Sequence, residues 1–216
     1  MGAIIFTVGF AIGSFLNFCI YRIPRKQEII SPASYPIVQL ITGILFMLLY
    51  SKFEFSMNFI IYAFILSLLV IIAFIDLDTK IIPDILVVLI LIGAIIYEIS
   101  MILVYNSFGN LLDNIFGLAI GGLLFLIIFV LSKGGIGGGD IKLMAALGFI
   151  LGVPKIILNI FLSFLLGAIA SIILLSLGIR KKKDYIPFGP FIVLSFIITL
   201  FWGEEILYWY MVNILH

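Results

Sequence analysis

The chain has 216 residues, 64% of them hydrophobic and 11% charged, and a formal net charge of +1. A soluble domain is usually about a quarter charged, so this composition cannot build a water-facing surface, and so balanced a charge offers nothing to nucleic acid. One cysteine, Cys19, and one histidine, His216, exclude an internal disulfide, a Cys-based zinc site and the Ser-His-Asp, Cys-His and HExxH routes to hydrolysis within a single chain.

The apolar residues fall in runs of the roughly 17–25 residues that a bilayer requires. They predict helices over 3–20, 36–51, 57–75, 84–105, 111–131, 155–178 and 187–203. The first run does not read as an obvious cleavable signal, because Met1 to Asn17 carries no positive charge and the basic residues follow it. Phe6 stands where N-myristoylation wants Ser or Thr. The run 141–153 is shorter, reaching ~20 Å at 1.5 Å per residue, and reads as either a short span or a buried helix. The stretch from Ile206 to Leu215, with Tyr208, Trp209 and Tyr210, reads as interfacial. Gly9 and Gly13, Gly117 and Gly121, and Gly148 and Gly152 are each four apart, a spacing that lets helix backbones approach closely in lipid. No internal repeat of the transporter kind is visible.

Charge sets the orientation. With 141–153 counted as a crossing, one side of the membrane receives Arg22, Arg25, Lys26, Lys80, Lys133, Lys142, Arg180, Lys181, Lys182 and Lys183. The other side receives only Lys52 and Lys155. By the positive-inside rule the first side is cytoplasmic and the N-terminus lies outside. The expectation is an all-α polytopic transmembrane bundle of about eight crossing helices, forming one membrane-embedded domain over 1–216.

The acidic residues are Glu28, Glu54, Asp76, Asp78, Asp84, Glu98, Asp113, Asp140, Asp184, Glu204 and Glu205, and most sit in loops, where they read as solvated charges. Asp76 differs, since it follows the unbroken run Phe59–Ile75 and lies at the membrane boundary. Asp140 closes the run Gly134-Gly135-Ile136-Gly137-Gly138-Gly139 and opens the next apolar helix. Two spans separate these aspartates, which puts both on the cytoplasmic face. Two carboxylates within hydrogen-bond reach cannot both ionise cheaply, so they share a proton. The ionised one can activate water while the protonated one polarises a peptide carbonyl, which needs no histidine, cysteine or metal. The glycine run has two readings. It is either a loop that can lie beside an extended peptide, using the freedom of glycine to take positive φ, or a flexible connector with Asp140 as helix N-cap.

The segments Ile75-Asp76-Leu77-Asp78-Thr79-Lys80-Ile81-Ile82-Pro83-Asp84 and Gly137-Gly138-Gly139-Asp140-Ile141-Lys142-Leu143 resemble the two active-site motifs of type IV prepilin peptidases, which are GxGD intramembrane aspartic proteases. Gly13-Ser14-Phe15-Leu16-Asn17, Tyr21-Arg22-Ile23-Pro24-Arg25, Tyr35-Pro36-Ile37-Val38, Ala145-Ala146-Leu147-Gly148 and Ile186-Pro187-Phe188-Gly189-Pro190 extend the likeness along nearly the whole chain. The resemblance implies an endopeptidase in the cytoplasmic membrane of a prokaryote. Its partners would be type IV prepilin or pseudopilin precursors and the lipid bilayer. It would remove the precursors' N-terminal leaders at the cytoplasmic face, in a pilus, secretion or DNA-uptake system. It implies Asp76 and Asp140 as the catalytic pair, with no metal. Gly137, Gly138, Gly139, Lys142 and Pro83 are implied as motif positions that support the substrate loop. Asp78 and Asp84 match positions often acidic in the family, but read better as a solvated charge and a favourable first-turn helix charge.

The likeness has a departure. Full-length bacterial members carry a cytoplasmic insert with two CxxC pairs, whereas the connector from Arg25 to Tyr35 is short and has no cysteine. Gln39 stands where members that also N-methylate the new N-terminus tend to have Glu. Weak or absent methyltransferase activity is expected, and S-adenosylmethionine would serve only that activity. Two other classes compete: a metal-dependent membrane phosphotransferase using Asp76-x-Asp78, and a small proton-coupled transporter with the aspartates as relay.

Overall fold

The computed structural model describes residues 1–25, 36–105, 111–133, 135–178 and 186–214. Among these, all regular structure is helical, as a bilayer-spanning chain requires when every backbone polar group needs a partner within its own segment. The helices are α1 (Gly2–Arg25), α2 (Pro36–Phe53), α3 (Met57–Thr79), α4 (Asp84–Tyr105), α5 (Leu111–Leu131), α6 (Gly138–Ser176) and α7 (Gly189–Ile214), each long and apolar enough to cross a membrane. Lys26, Glu28, Tyr35, Gly134, Arg180–Lys183, Asp184, Leu215 and His216, which entered the sequence reading, lie outside the described residues. The chain divides into two compact units, Met1–Tyr105 and Asn106–His216.

In the first unit α1 packs on α2, and α3 packs on α1, α2 and α4. The spaced glycines set the α1–α2 approach. A Cβ on Gly13 would lie 2.6 Å from the Gln39 Cα, and one on Gly9 would lie 3.0 Å from the Gly43 Cα. Only hydrogen fits between backbones that close. α3 starts where the Ser56 hydroxyl accepts the Phe59 N–H at 3.3 Å. It ends where Lys80 turns left-handed (φ 58°) and donates its N–H to the Asp76 carbonyl at 2.9 Å. The Pro83 carbonyl then accepts the Leu86 N–H at 3.1 Å, opening α4. Glu98 is buried within α4.

In the second unit α6 packs on α5 and α7. The sequence divides this stretch into 141–153 and 155–178, whereas the helix is assigned as continuous over Gly138–Ser176 across a break at Gly152 (φ 71°, ψ −179°). The break reverses the chain. A straight helix would hold Met144 and Asn159 ~22 Å apart, yet the Asn159 side chain donates to the Met144 sulfur at 3.4 Å. Gly121 likewise lies against both the Met144 carbonyl and Ile156. The helix therefore folds into two arms, 138–151 and 153–176, lying side by side. Gly152 is left-handed because no side chain could sit there: a Cβ would stand 2.0 Å from an Asp113 carboxylate oxygen. Asp113 accepts the Val153 N–H at 3.2 Å, a carboxylate capping the positive start of the second arm. The cap is built from 40 residues away in the chain, and only the fold reveals it. The stretch 206–214, expected as a separate interfacial segment, continues α7 without interruption, with Tyr208, Trp209 and Tyr210 exposed.

Candidate active site

Asp76 sits in the last turn of α3 and is 3% exposed, although its chain neighbour Leu77 is 53% exposed. Asp78 is also helical and lies on the solvent-accessible side. Two residues along an α-helix turn the side chain by ~200°, so only one member of an Asp-x-Asp pair can face inward. The apolar residues of α3 choose which, because Leu69, Ile72 and Ile75 lie on the buried side with Asp76. Asp84 is exposed in the first turn of α4, where a negative charge suits the helix dipole. Pro83 is half-buried in the connector just before it.

Asp140 is likewise 3% exposed. The helix begins at Gly138 with Gly137 as N-cap (φ −76°, ψ 147°), so Asp140 occupies the third helical position rather than the cap itself. Its carboxylate accepts the Gly137 N–H at 3.0 Å, and its own N–H donates to the Gly137 carbonyl at 3.1 Å. This is the reciprocal half of a capping box, with aspartate in the role more often taken by glutamate. The glycine run therefore departs from both sequence readings. Gly138 and Gly139 belong to the first helical turn, and none of Gly135, Gly137, Gly138 and Gly139 has positive φ. What their size leaves is room: a Cβ on exposed Gly138 would meet nothing within 4 Å. Lys142, at the edge of the same turn, is exposed.

Each unit thus contributes one buried carboxylate at a helix terminus, Asp76 from the first and Asp140 from the second. A buried carboxylate at the edge of an apolar helix is costly, and it marks a functional group more often than a structural one. Polar residues inside the second unit escaped the sequence reading. Asn159, Ser163 and Ser195 are fully buried and bonded to one another between the second arm of α6 and α7. Their signal was present as polar residues interrupting apolar runs.

Among the described residues, several apolar helices long enough to span a bilayer, with a buried aspartate at the end of one and the start of another, define a polytopic helical membrane protein. The chain belongs to the type IV leader peptidase family, whose model matches residues 63–172 and so takes in both Asp76 and Asp140. It is similar to the prepilin leader peptidase/N-methyltransferase of Aeromonas hydrophila, with 32% identity over 188 residues, which is 85% of this chain and 63% of that protein. The protein of the same name from Pseudomonas aeruginosa is 34% identical over 178 residues, covering 80% of this chain and 59% of the relative. The one from Bacillus subtilis is 28% identical over 247 positions, covering 97% and 98%. The chain thus spans somewhat under two thirds of the length of the Aeromonas and Pseudomonas relatives. No solved structure gives a significant match.

Proposed function

We propose that this protein is an intramembrane aspartic endopeptidase that removes the N-terminal leader from type IV prepilin-like precursors at the cytoplasmic face, with Asp76 and Asp140 as its two catalytic carboxylates. The observation that carries the reading is the division among the four motif aspartates: Asp76 and Asp140 are buried at helix ends, while Asp78 and Asp84 are exposed. Family membership and the names of the relatives support the substrate class. In this reading one carboxylate is ionised and activates water, and the other is protonated and hydrogen-bonds the scissile carbonyl. The room beside Gly138, at the start of the helix that carries Gly139 and Lys142, is where the precursor backbone would pass. Cleavage draws on no cofactor and no metal. The positive-inside count supports an N-terminus outside and a cytoplasmic active site in a prokaryotic plasma membrane.

Methyl transfer to the new N-terminus is expected to be weak or absent. The Gln39 amide is neutral and already engaged, donating to the Ser14 hydroxyl at 3.0 Å between α2 and α1.

The test is leader cleavage by purified protein in detergent, using the four single Asp→Asn variants. Asn at position 76 or 140 keeps the size and fixes a neutral amide, so each should lose at least ~10²–10⁴-fold in rate, the usual worth of general acid–base catalysis. Asp78→Asn and Asp84→Asn should stay active. Loss in Asp78→Asn with activity retained in Asp76→Asn would assign the chemistry to the wrong aspartate.

A further inference from the structure

The buried polar cluster of the second unit reaches the arm that carries Asp140 at a single side chain. Between Lys142 and the break at Gly152 that arm reads Leu-Met-Ala-Ala-Leu-Gly-Phe-Ile-Leu. Met144 is its only side chain with a hydrogen-bond acceptor, and the Asn159 amide nitrogen donates to its sulfur at 3.4 Å. The Asn159 amide oxygen in turn accepts the Ser195 hydroxyl of α7 at 2.6 Å, and Ser163 and Ser195 bond each other at 2.6 Å. Ser163 also reaches the Asn159 backbone carbonyl at 2.7 Å and Ser195 the Ile192 carbonyl at 2.8 Å, so every acceptor of the cluster lies within reach of a hydroxyl proton, and the amide N–H is left for Met144. Asn159, Ser163, Ser195 and Met144 are all fully buried, so none of these bonds has water as a substitute.

Met144 lies four residues after Asp140, nearly above it on the same helix face and ~6 Å along the axis. The arm also packs closely on α5, where Gly148 and the Met144 carbonyl lie against Gly117 and Gly121. A slip of one residue would rotate Met144 by ~100° and carry it ~1.5 Å, leaving the Asn159 amide without an acceptor. The glycine seam holds the arm against α5, and the Asn159–Met144 bond adds a directional contact that only one register satisfies.

We infer that Asn159 is a positioning residue, which fixes the register of the first arm of α6, and thereby the placement of Asp140, through the Ser163–Ser195–Asn159–Met144 chain. The catalytic consequence rests on the peptidase reading; the register itself does not.

The experiment replaces the bonded pair by two apolar side chains of similar size, Asn159→Leu with Met144→Leu. Removing both partners leaves no unsatisfied group on the arm, so folding is expected to survive. Two readouts are taken. Paired spin labels at Lys142 on the arm and Leu194 on α7, in a Cys19→Ser background, report the arm's position. Leader cleavage by the unlabelled double variant reports kcat and KM. The expected result is a broadened label-to-label distance distribution, with kcat down roughly 10–100-fold as for a displacement of about 1 Å, and KM and melting temperature unchanged. A distance distribution as narrow as that of the parent overturns the inference whatever the activity does. A broadened distribution with parental kcat overturns the link to Asp140. Should the parent protein cleave no precursor, the peptidase reading fails, and the distance distribution alone decides whether Asn159 holds the register.

Discussion

Replacing Gly148 by alanine puts one methyl group where two helix backbones touch. Its Cβ would stand 2.1 Å from the Gly117 carbonyl oxygen, 2.6 Å from the Gly117 carbonyl carbon and 3.0 Å from the Leu118 nitrogen. These are backbone atoms of α5, so no rotamer change relieves the overlap. The first arm of α6 has to move off α5 by about 0.9 Å before even the 3.0 Å limit of real contacts is reached. Overpacking of this kind costs about 1–3 kcal/mol, and lost contact along the rest of the α5–α6 seam adds to it. Asp140 rides on the same rigid arm, roughly 12 Å away at 1.5 Å per residue. A shift near 1 Å at a catalytic group lowers rates by up to ~10²-fold. The assay is thermal unfolding in detergent, followed by leader cleavage at a temperature where the variant is folded. The control is Gly138→Ala, whose Cβ meets nothing within 4 Å and which should hold or raise stability by up to ~1 kcal/mol. A Gly148→Ala protein with the parent's melting temperature and cleavage rate would refute the close seam and the coupling drawn from it.

Removing the Asp113 cap by Asp113→Ala should lower stability by about 0.5–2 kcal/mol, as loss of an N-cap does; Asp113→Asn, which keeps an acceptor for the Val153 N–H, should recover most of it in the same melting assay. Reporter fusions after Lys183 should behave as cytoplasmic and fusions at Glu54 as external, and finding both on one side would break the orientation. Mass spectrometry of a mature pilin N-terminus should find little or no methylation dependent on this enzyme. A fully methylated product would show that a carboxylate at position 39 is not needed.

Much of the molecule was legible without its structure. Lipid solvates apolar side chains, so a membrane helix writes its length into the hydropathy of consecutive residues, and α4 and α5 begin and end where their runs do. Helical periodicity likewise separated Asp76 from Asp78 before any coordinate was known, because side chains two residues apart cannot share a face.

What remained hidden depends on which side chain meets which across the bundle. Hydropathy treats Gly152 as one more apolar residue; its positive φ, and the Asp113 carboxylate that fills the place of a side chain there and caps the second arm, belong to the tertiary structure. The sequence reading placed two crossings there with Lys155 at the turn between them, but gave Asp113 no task. The glycines before Asp140 looked like loop, yet three of them cap or begin a helix, because the Asp140 carboxylate ties back to the Gly137 N–H. Asn159, Ser163 and Ser195 were isolated polar letters in apolar runs. A hydrogen bond buried in lipid or protein has value only when its partner is in place, and that partner lies on another helix, which only the tertiary structure supplies.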